Sequence, residues 1–117
     1  PGPEVELLVA LDLDGSLAAA AGLERHGARA ILRTVVTRPD RRGGGVATLL
    51  VDALIERHAR SELWLVTRDR AAFFARFGFE EVAREAVPAE LASTETFAHG
   101  ACAGATVMRR ATRYSSA

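Results

Sequence analysis

Three consecutive glycines, Gly43-Gly44-Gly45, follow Arg41-Arg42 and separate an apolar run at 31–36 from an apolar-periodic one that begins at Val46. No other stretch restricts the fold as much. Ile31-Leu32-Arg33-Thr34-Val35-Val36 is β-branched or apolar apart from Arg33, which predicts a buried strand over 30–37. Pro39-Asp40 is a turn pair, with proline fixing φ and aspartate able to bond its own backbone. Beyond the glycines, Val46, Leu49, Leu50, Ala53 and Leu54 share one helical stripe, with Thr48, Asp52, Glu56 and Arg57 opposite. The order is strand, turn, glycine loop, helix.

That order is a physical device for holding an anion. The first turn of a helix has unpaired N–H groups and a partial positive charge. Glycines allow close backbone approach and positive φ. Arg41 and Arg42 place fixed charge beside them. A P-loop is excluded, because it needs a lysine and the chain has none. A dinucleotide fingerprint starting at Gly43 would need its last glycine where Thr48 stands. A lone RGG element does not make an RNA binder of a chain with 15 basic and 15 acidic residues.

The rest of the chain fits one domain, residues 1–117. A chain of 117 residues with 49% apolar content can bury one core. Its charge balance gives no argument for nucleic acid or membrane as a partner. All the basic residues are arginine, which reads as a coding bias of the source genome. One cysteine, Cys102, rules out an internal disulfide and suits a reducing cytoplasm. No run approaches a membrane span and no signal peptide is evident, so a cytoplasmic protein is expected.

Read in order, Glu6 to Leu11 is a strand, Asp14-Gly15 a hairpin turn, and Ser16 to Leu23 a second strand despite its alanines. His26-Gly27 turns the chain into the strand at 30–37. After the helix, Leu63 to Thr67 is a buried strand, and a crossover of this length makes it parallel to 30–37. Asp69 is placed to cap a helix from Arg70 to Phe77 with Phe73 and Phe77 inward, ended by Gly78. A strand over 79–87, short helical turns after Pro88 and near 94–99, and a strand over 105–110 complete the chain. This predicts an α/β (α+β) fold, a mixed and mostly antiparallel sheet with a central parallel pair and helices on its faces.

The spacing Arg42-x-x-Gly45-x-Ala47 resembles the R-x-x-G-x-G/A loop of the GCN5-related N-acetyltransferases, which cradles the pyrophosphate of acetyl-coenzyme A. The match runs back through Leu32 to Val36 and Pro39, and forward through the helix. Ala71-Ala72-Phe73-Phe74-Ala75-Arg76-Phe77-Gly78-Phe79 is similar to a second family landmark, A-x-x-F-Y-x-x-x-G-F in outline. The tail, with Val87-Pro88, Thr94, Phe97, Cys102 and Ala105 to Met108, is similar to short acetyltransferases of the N-acetylglutamate-synthase type and to an arsenic-resistance-associated subgroup. The likeness covers about Glu6 to Arg110.

The resemblance implies a co-substrate, acetyl-CoA, and no metal. Its cradle would comprise Arg41, Arg42, Gly43, Gly44, Gly45, Val46, Ala47 and Thr48, with a backbone N–H near Val35 or Val36 polarising the thioester carbonyl. It also implies that the strands at 30–37 and 63–67 splay apart around the acyl group. Two departures from the family stand out. Phe74 occupies the place of the tyrosine that usually protonates the departing thiolate, which leaves that role to water or Cys102. The chain also starts after the first strand and two helices of the family, which implies truncation or closure by a partner, a homodimer included.

Glu24 is the carboxylate best placed to relay a proton from the amine through water; the alternative is a cross-strand pair with Arg29. Arg33, among apolar neighbours, is the candidate clamp for an acceptor carboxylate, with a salt bridge to a neighbouring-strand acid as the alternative. Strict alternation groups it with Ile31 and Val35. Thr67, at the end of its strand, is the other acceptor-binding candidate. His26, His58 and His99 have no metal-binding spacing. The expected activity is acetyl transfer from acetyl-CoA to a small, glutamate-type amine; the competing reading is a non-catalytic coenzyme-A-binding or dimerisation module.

Overall fold

The computed structural model describes residues 4–99 and 104–112. Strands β1 (Glu4–Leu11), β2 (Leu17–His26) and β3 (Arg29–Thr37) form an antiparallel meander. Helix α1 (Val46–Arg57) crosses to β4 (Glu62–Thr67), parallel to β3. Then come α2 (Ala71–Ala75), β5 (Glu80–Val82), two short helices α3 (Ala89–Ala92) and α4 (Glu95–His99), and β6 (Thr106–Arg110). The sheet order is β1-β2-β3-β4-β6-β5, and only the β3–β4 pair is parallel. The expected mixed, mostly antiparallel sheet with flanking helices is what forms.

The first hairpin closes as its sequence predicts. Gly15 takes φ +86°, its N–H bonds the Asp12 carbonyl at 2.9 Å, and the Asp14 carboxylate accepts from the Ser16 backbone and hydroxyl. β2 runs further than expected, to His26, so Glu24 lies inside the strand and not at its end. Its alanines serve packing. Ala19, Ala21 and Leu23 are buried against Leu50, Val51, Leu54 and Ile55 of α1, and small side chains let helix and sheet approach closely.

The buried face of α1 is therefore Leu50, Val51, Leu54 and Ile55. Leu49, expected on the stripe, is 70% exposed. Period alone fitted either of two overlapping stripes, and the position of β2 chose between them. A second cluster, on the opposite face, joins Ile31, Trp64 and Val107 to Leu91 of α3 and Phe97 of α4. That layer does not reach the outer strand, and Val5, Leu7, Val9 and Leu11 stay exposed along β1.

Three local expectations are corrected. Asp69 does not cap α2; Arg70 takes the N-cap position without a side-chain cap bond, and its N–H donates to Thr67 Oγ1 at 3.0 Å. The helix stops at Ala75, its end tightened by Phe77 and Gly78 N–H groups bonding Phe74 and Ala75 carbonyls, with Gly78 at φ +92°. Phe74 is its fully buried residue, while Phe73 and Phe77, expected inward, are partly buried and pack against the same core. Finally, the strand expected over 79–87 pairs only at Glu80–Val82; exposed Arg84 and Glu85 then enter a 3₁₀ turn at Arg84–Ala86.

β1 is tied to the end of α1 by Glu6, which accepts from Arg57 at 2.7 and 3.2 Å and lies 2.8 Å from His58 Nε2. The Arg57 bond first, then His58, hold the Glu6 carboxyl at about 2, down from an ordinary value near 4.5. A depressed carboxyl contributes stability above its unfolded value and loses it as pH falls through its folded one. Glu6→Gln is therefore expected to cost on the order of 1 kcal/mol at neutral pH after solvent screening. The gap from wild type should narrow between pH 4.5 and 2, as read by urea unfolding at each pH.

Candidate functional site

The glycine loop is held from below by a charged hub. Arg38 donates to Asp12 (2.6 Å), Asp40 (2.5 Å), Ser16 (3.0 Å) and the Leu17 carbonyl (3.1 Å), which fixes the loop to the β1–β2 hairpin. Arg41 pairs with the other Asp12 oxygen. These guanidinium bonds, Arg38 first, hold the Asp12 carboxyl below its usual range. Above the hub, Gly43 and Gly45 take φ +84° and +83°, a region that L side chains rarely adopt. Gly45 is the N-cap of α1 and supplies no side-chain cap, so the N–H groups of Val46, Ala47 and Thr48 have no intrahelical acceptor.

A cavity of about 380 Å³ opens over this turn. Arg41, Arg42, Gly43, Gly45, Val46, Ala47 and Thr48 all line it; Gly44 does not, and an ideal Cβ there would lie 3.5 Å from the Arg41 carbonyl. A Cβ at Gly43 or Gly45 would meet nothing within 4 Å. The backbone is thus open to the cavity, with positive charge and unpaired N–H groups beside it. Phosphate is the chemistry such a wall recognises.

β3 and β4 pair only from Arg29–Ile31 to Glu62–Trp64. Beyond that point β3 stays with β2 to Thr37 and β4 stays with β6 to Thr67, so the two strands part, as expected. A second cavity, about 160 Å³, fills the gap between Leu32, Val35, Leu65 and Thr67. It shares Arg70 and Phe73 with the first. A third, about 310 Å³, shares Arg33, Val66 and Thr67 with the second and ends at Glu95 and Thr96. The three cavities adjoin through these shared walls, in order from the glycine loop, past the parted strands, to the face that carries α4.

Of the other candidates, Val35 and Phe74 line the gap, whereas Val36 is half exposed outside it. Phe74 packs edge-on to Phe73 and Phe79, with ring centroids 5.1 and 6.0 Å away. Thr67 is buried and lines both the second and third cavities; its hydroxyl oxygen accepts from the Arg70 backbone N–H. Cys102 lies outside the described residues.

Arg33 is placed by an irregularity that strand periodicity does not reveal. Gly22 faces Thr34 but Leu23 faces Leu32, so Arg33 is the extra residue of a β-bulge. Alternation breaks there: Leu32 and Val35 both pack on the α1 face, while Ile31 packs on the opposite one. The expected grouping of Arg33 with Val35 is therefore corrected. The guanidinium donates to Glu24 Oε2 at 2.8 Å, and Glu24 Oε1 lies 2.5 Å from His26 Nε2. Glu24 is buried, and it pairs with Arg33 and His26 and not with Arg29, which bonds Glu62 (3.0 Å) and Glu90 (2.5 Å). Arg33 itself keeps 38% of its side chain exposed at the join between the second and third cavities.

Sequence reasoning missed Thr37, Arg70, Phe73 and Arg76 as walls of the first cavity. Their signal was present: Arg70, Phe73 and Arg76 are spaced by three, which stacks them on one face of a helical turn. Among the described residues, no group of three or more His, Cys, Asp or Glu is placed to hold a metal ion, and no helix is long and apolar enough to cross a membrane.

A family model described as an acetyltransferase (GNAT) domain matches residues 3–81. No curated protein matches the sequence. Among solved structures, N-acetylglutamate synthase from Neisseria gonorrhoeae, complexed with coenzyme A and N-acetyl-glutamate, superposes with a TM-score of 0.75 at 17% identity. That match covers 90% of this chain and 25% of the synthase chain. A Mycobacterium tuberculosis protein in complex with CoA and NLQ gives a TM-score of 0.76 at 24% identity, covering 91% of this chain and 75% of that one. An acetyltransferase of the GNAT family from Staphylococcus aureus gives 0.73 at 17%, covering 91% and 66%. The chain thus spans a quarter of the synthase, 66% of the staphylococcal protein and three quarters of the mycobacterial one.

Proposed function

The chain belongs to the GNAT family of acetyltransferases, and from that premise we propose that it is an acetyl-CoA-dependent N-acetyltransferase acting on a small, amino-acid-like amine. The observation that carries this reading is the row of adjoining cavities from the glycine loop, past the parted strands, to Arg33. One end suits a diphosphate, and the middle is a narrow slot in which Leu32, Val35, Leu65 and Phe74 stand beside Arg33, Thr67 and Arg70. The other end holds a cation beside Glu95 and two threonines.

In this reading the N–H groups of Val46, Ala47 and Thr48, with Arg42, hold the diphosphate. Acetyl-CoA supplies the activated acetyl group. The β3 edge near Val35, released from β4, offers main-chain N–H groups toward the acyl oxygen. Arg33, steadied by Glu24, receives an acceptor carboxylate, and a glutamate-type acid is the acceptor class this favours. The match to the synthase complexed with N-acetyl-glutamate supports the same class. With Phe74 in the slot, none of the described residues brings an aromatic hydroxyl there to protonate the leaving thiolate. Water supplies that proton, which a thiolate leaving group, already a stable anion, tolerates.

The test is direct. Acetyl-CoA should raise the thermal midpoint, and free thiol should appear only when an acceptor such as L-glutamate is added. Stabilisation without turnover on any amine would leave a coenzyme-A-binding module. No stabilisation by acetyl-CoA or CoA would sink both.

A further inference from the structure

We propose that Arg70 and Arg76 form a second anion-binding station in the first cavity, one that reads the 3′-phosphate of coenzyme A and so separates it from dephospho-CoA. The inference rests on the coenzyme-A reading above and goes beyond it in assigning residues that the loop motif does not contain.

The cavity has more positive charge than a diphosphate requires. Arg41, Arg42, Arg70 and Arg76 line it, and no carboxylate does. Arg41 is compensated by Asp12. Among the described residues, no ion pair or side-chain hydrogen bond engages the guanidinium of Arg42, Arg70 or Arg76. Three uncompensated cations therefore border one space. The diphosphate of coenzyme A carries two negative charges, and the loop already offers it Arg42 and a row of unpaired N–H groups.

Arg70 and Arg76 come from the opposite wall, on either side of α2. Each lies over the same ring: the Arg70 guanidinium is 5.5 Å and that of Arg76 5.9 Å from the Phe73 centroid. Such contacts are worth about 0.5–1 kcal/mol at exposed sites. They orient the two guanidinium planes while using none of their N–H donors. Two like charges gathered around one phenyl ring in the wall of a cavity, with every guanidinium donor unspent, lack one thing, an anion. A phosphomonoester brings about −1.5 to −2 charge at neutral pH and three acceptor oxygens that match the guanidinium fork. Coenzyme A has such a group on its ribose; dephospho-CoA differs only in lacking it.

Calorimetric titration of CoA and dephospho-CoA into wild type, Arg42→Gln and the double variant Arg70→Gln/Arg76→Gln tests the assignment at fixed ionic strength. Both arginines are exposed, so the double variant should fold, and its circular dichroism and thermal midpoint verify that. Wild type should bind CoA about tenfold or more tightly than dephospho-CoA. In the double variant that ratio should fall to near one, with dephospho-CoA affinity held within about twofold. Arg42→Gln should weaken both ligands alike. A wild-type ratio near one, or a double variant that loses both ligands equally, overturns the station. Failure of wild type to bind either ligand overturns the coenzyme-A reading itself, and the station with it.

Discussion

Gly45→Val is expected to weaken acetyl-CoA binding about 100-fold or more while shifting the thermal midpoint of the free protein by only a few degrees. The reason is conformational. Gly45 sits at φ +83° as the N-cap of α1, and an added Cβ meets no protein atom within 4 Å. Valine there is not crushed against a neighbour. It is strained by its own backbone, by about 1–2 kcal/mol or more for a β-branched residue. The loop relieves that strain by rotating, which scatters the N–H groups of Val46, Ala47 and Thr48, and the new methyl groups project into the cavity. None of the four buried residues of α1 is touched. Gly44→Ala is the control. Gly44 is not at positive φ, and its added Cβ would make an ordinary contact 3.5 Å from the Arg41 carbonyl, so affinity should stay within about twofold. Calorimetry on the two variants decides the matter; equal affinities would refute the cradle.

Arg33→Ala is expected to raise the acceptor KM about 10–100-fold and leave the acetyl-CoA KM within about threefold, with L-glutamate as the acceptor probe. A charge-assisted bidentate contact to a carboxylate is worth that much when one partner is removed. The ion pair with Glu24 is partly exposed, so its loss should cost no more than about 1 kcal/mol of stability. Glu24 still keeps His26. A purely structural Arg33 would give the reverse pattern, with lower unfolding free energy and both KM values unmoved. Steady-state kinetics in both substrates, with urea unfolding beside them, separate the two.

Short-range features of the chain were legible because they depend on residues a few positions apart. Asp14-Gly15 demanded a hairpin, and the glycine loop demanded positive φ at a helix start. The helix between two apolar runs demanded a parallel pair, and all three formed. The inward face of α1 was less legible. Leu49 and Val51 compete for the core by period alone, and the alanines of β2 settled it by admitting the helix where Val51 and Ile55 fit. The bulge at Arg33 left no periodic trace, since it exists only in register with Gly22 and Leu23.

Residues a few positions apart dictate the anion-holding turn, its family likeness and the order of strands and helices, because backbone conformation and hydrogen-bond demand are set locally. Tertiary structure alone decided which charges remain available in the site. Arg38 and Arg41 look equivalent to Arg42 in the sequence, yet the first hairpin delivers Asp12 to the first two and none to the third. The salt bridge to a neighbouring-strand acid that the sequence allows for Arg33 forms with Glu24. Coulomb energy depends on distance in space, and chain spacing does not report it.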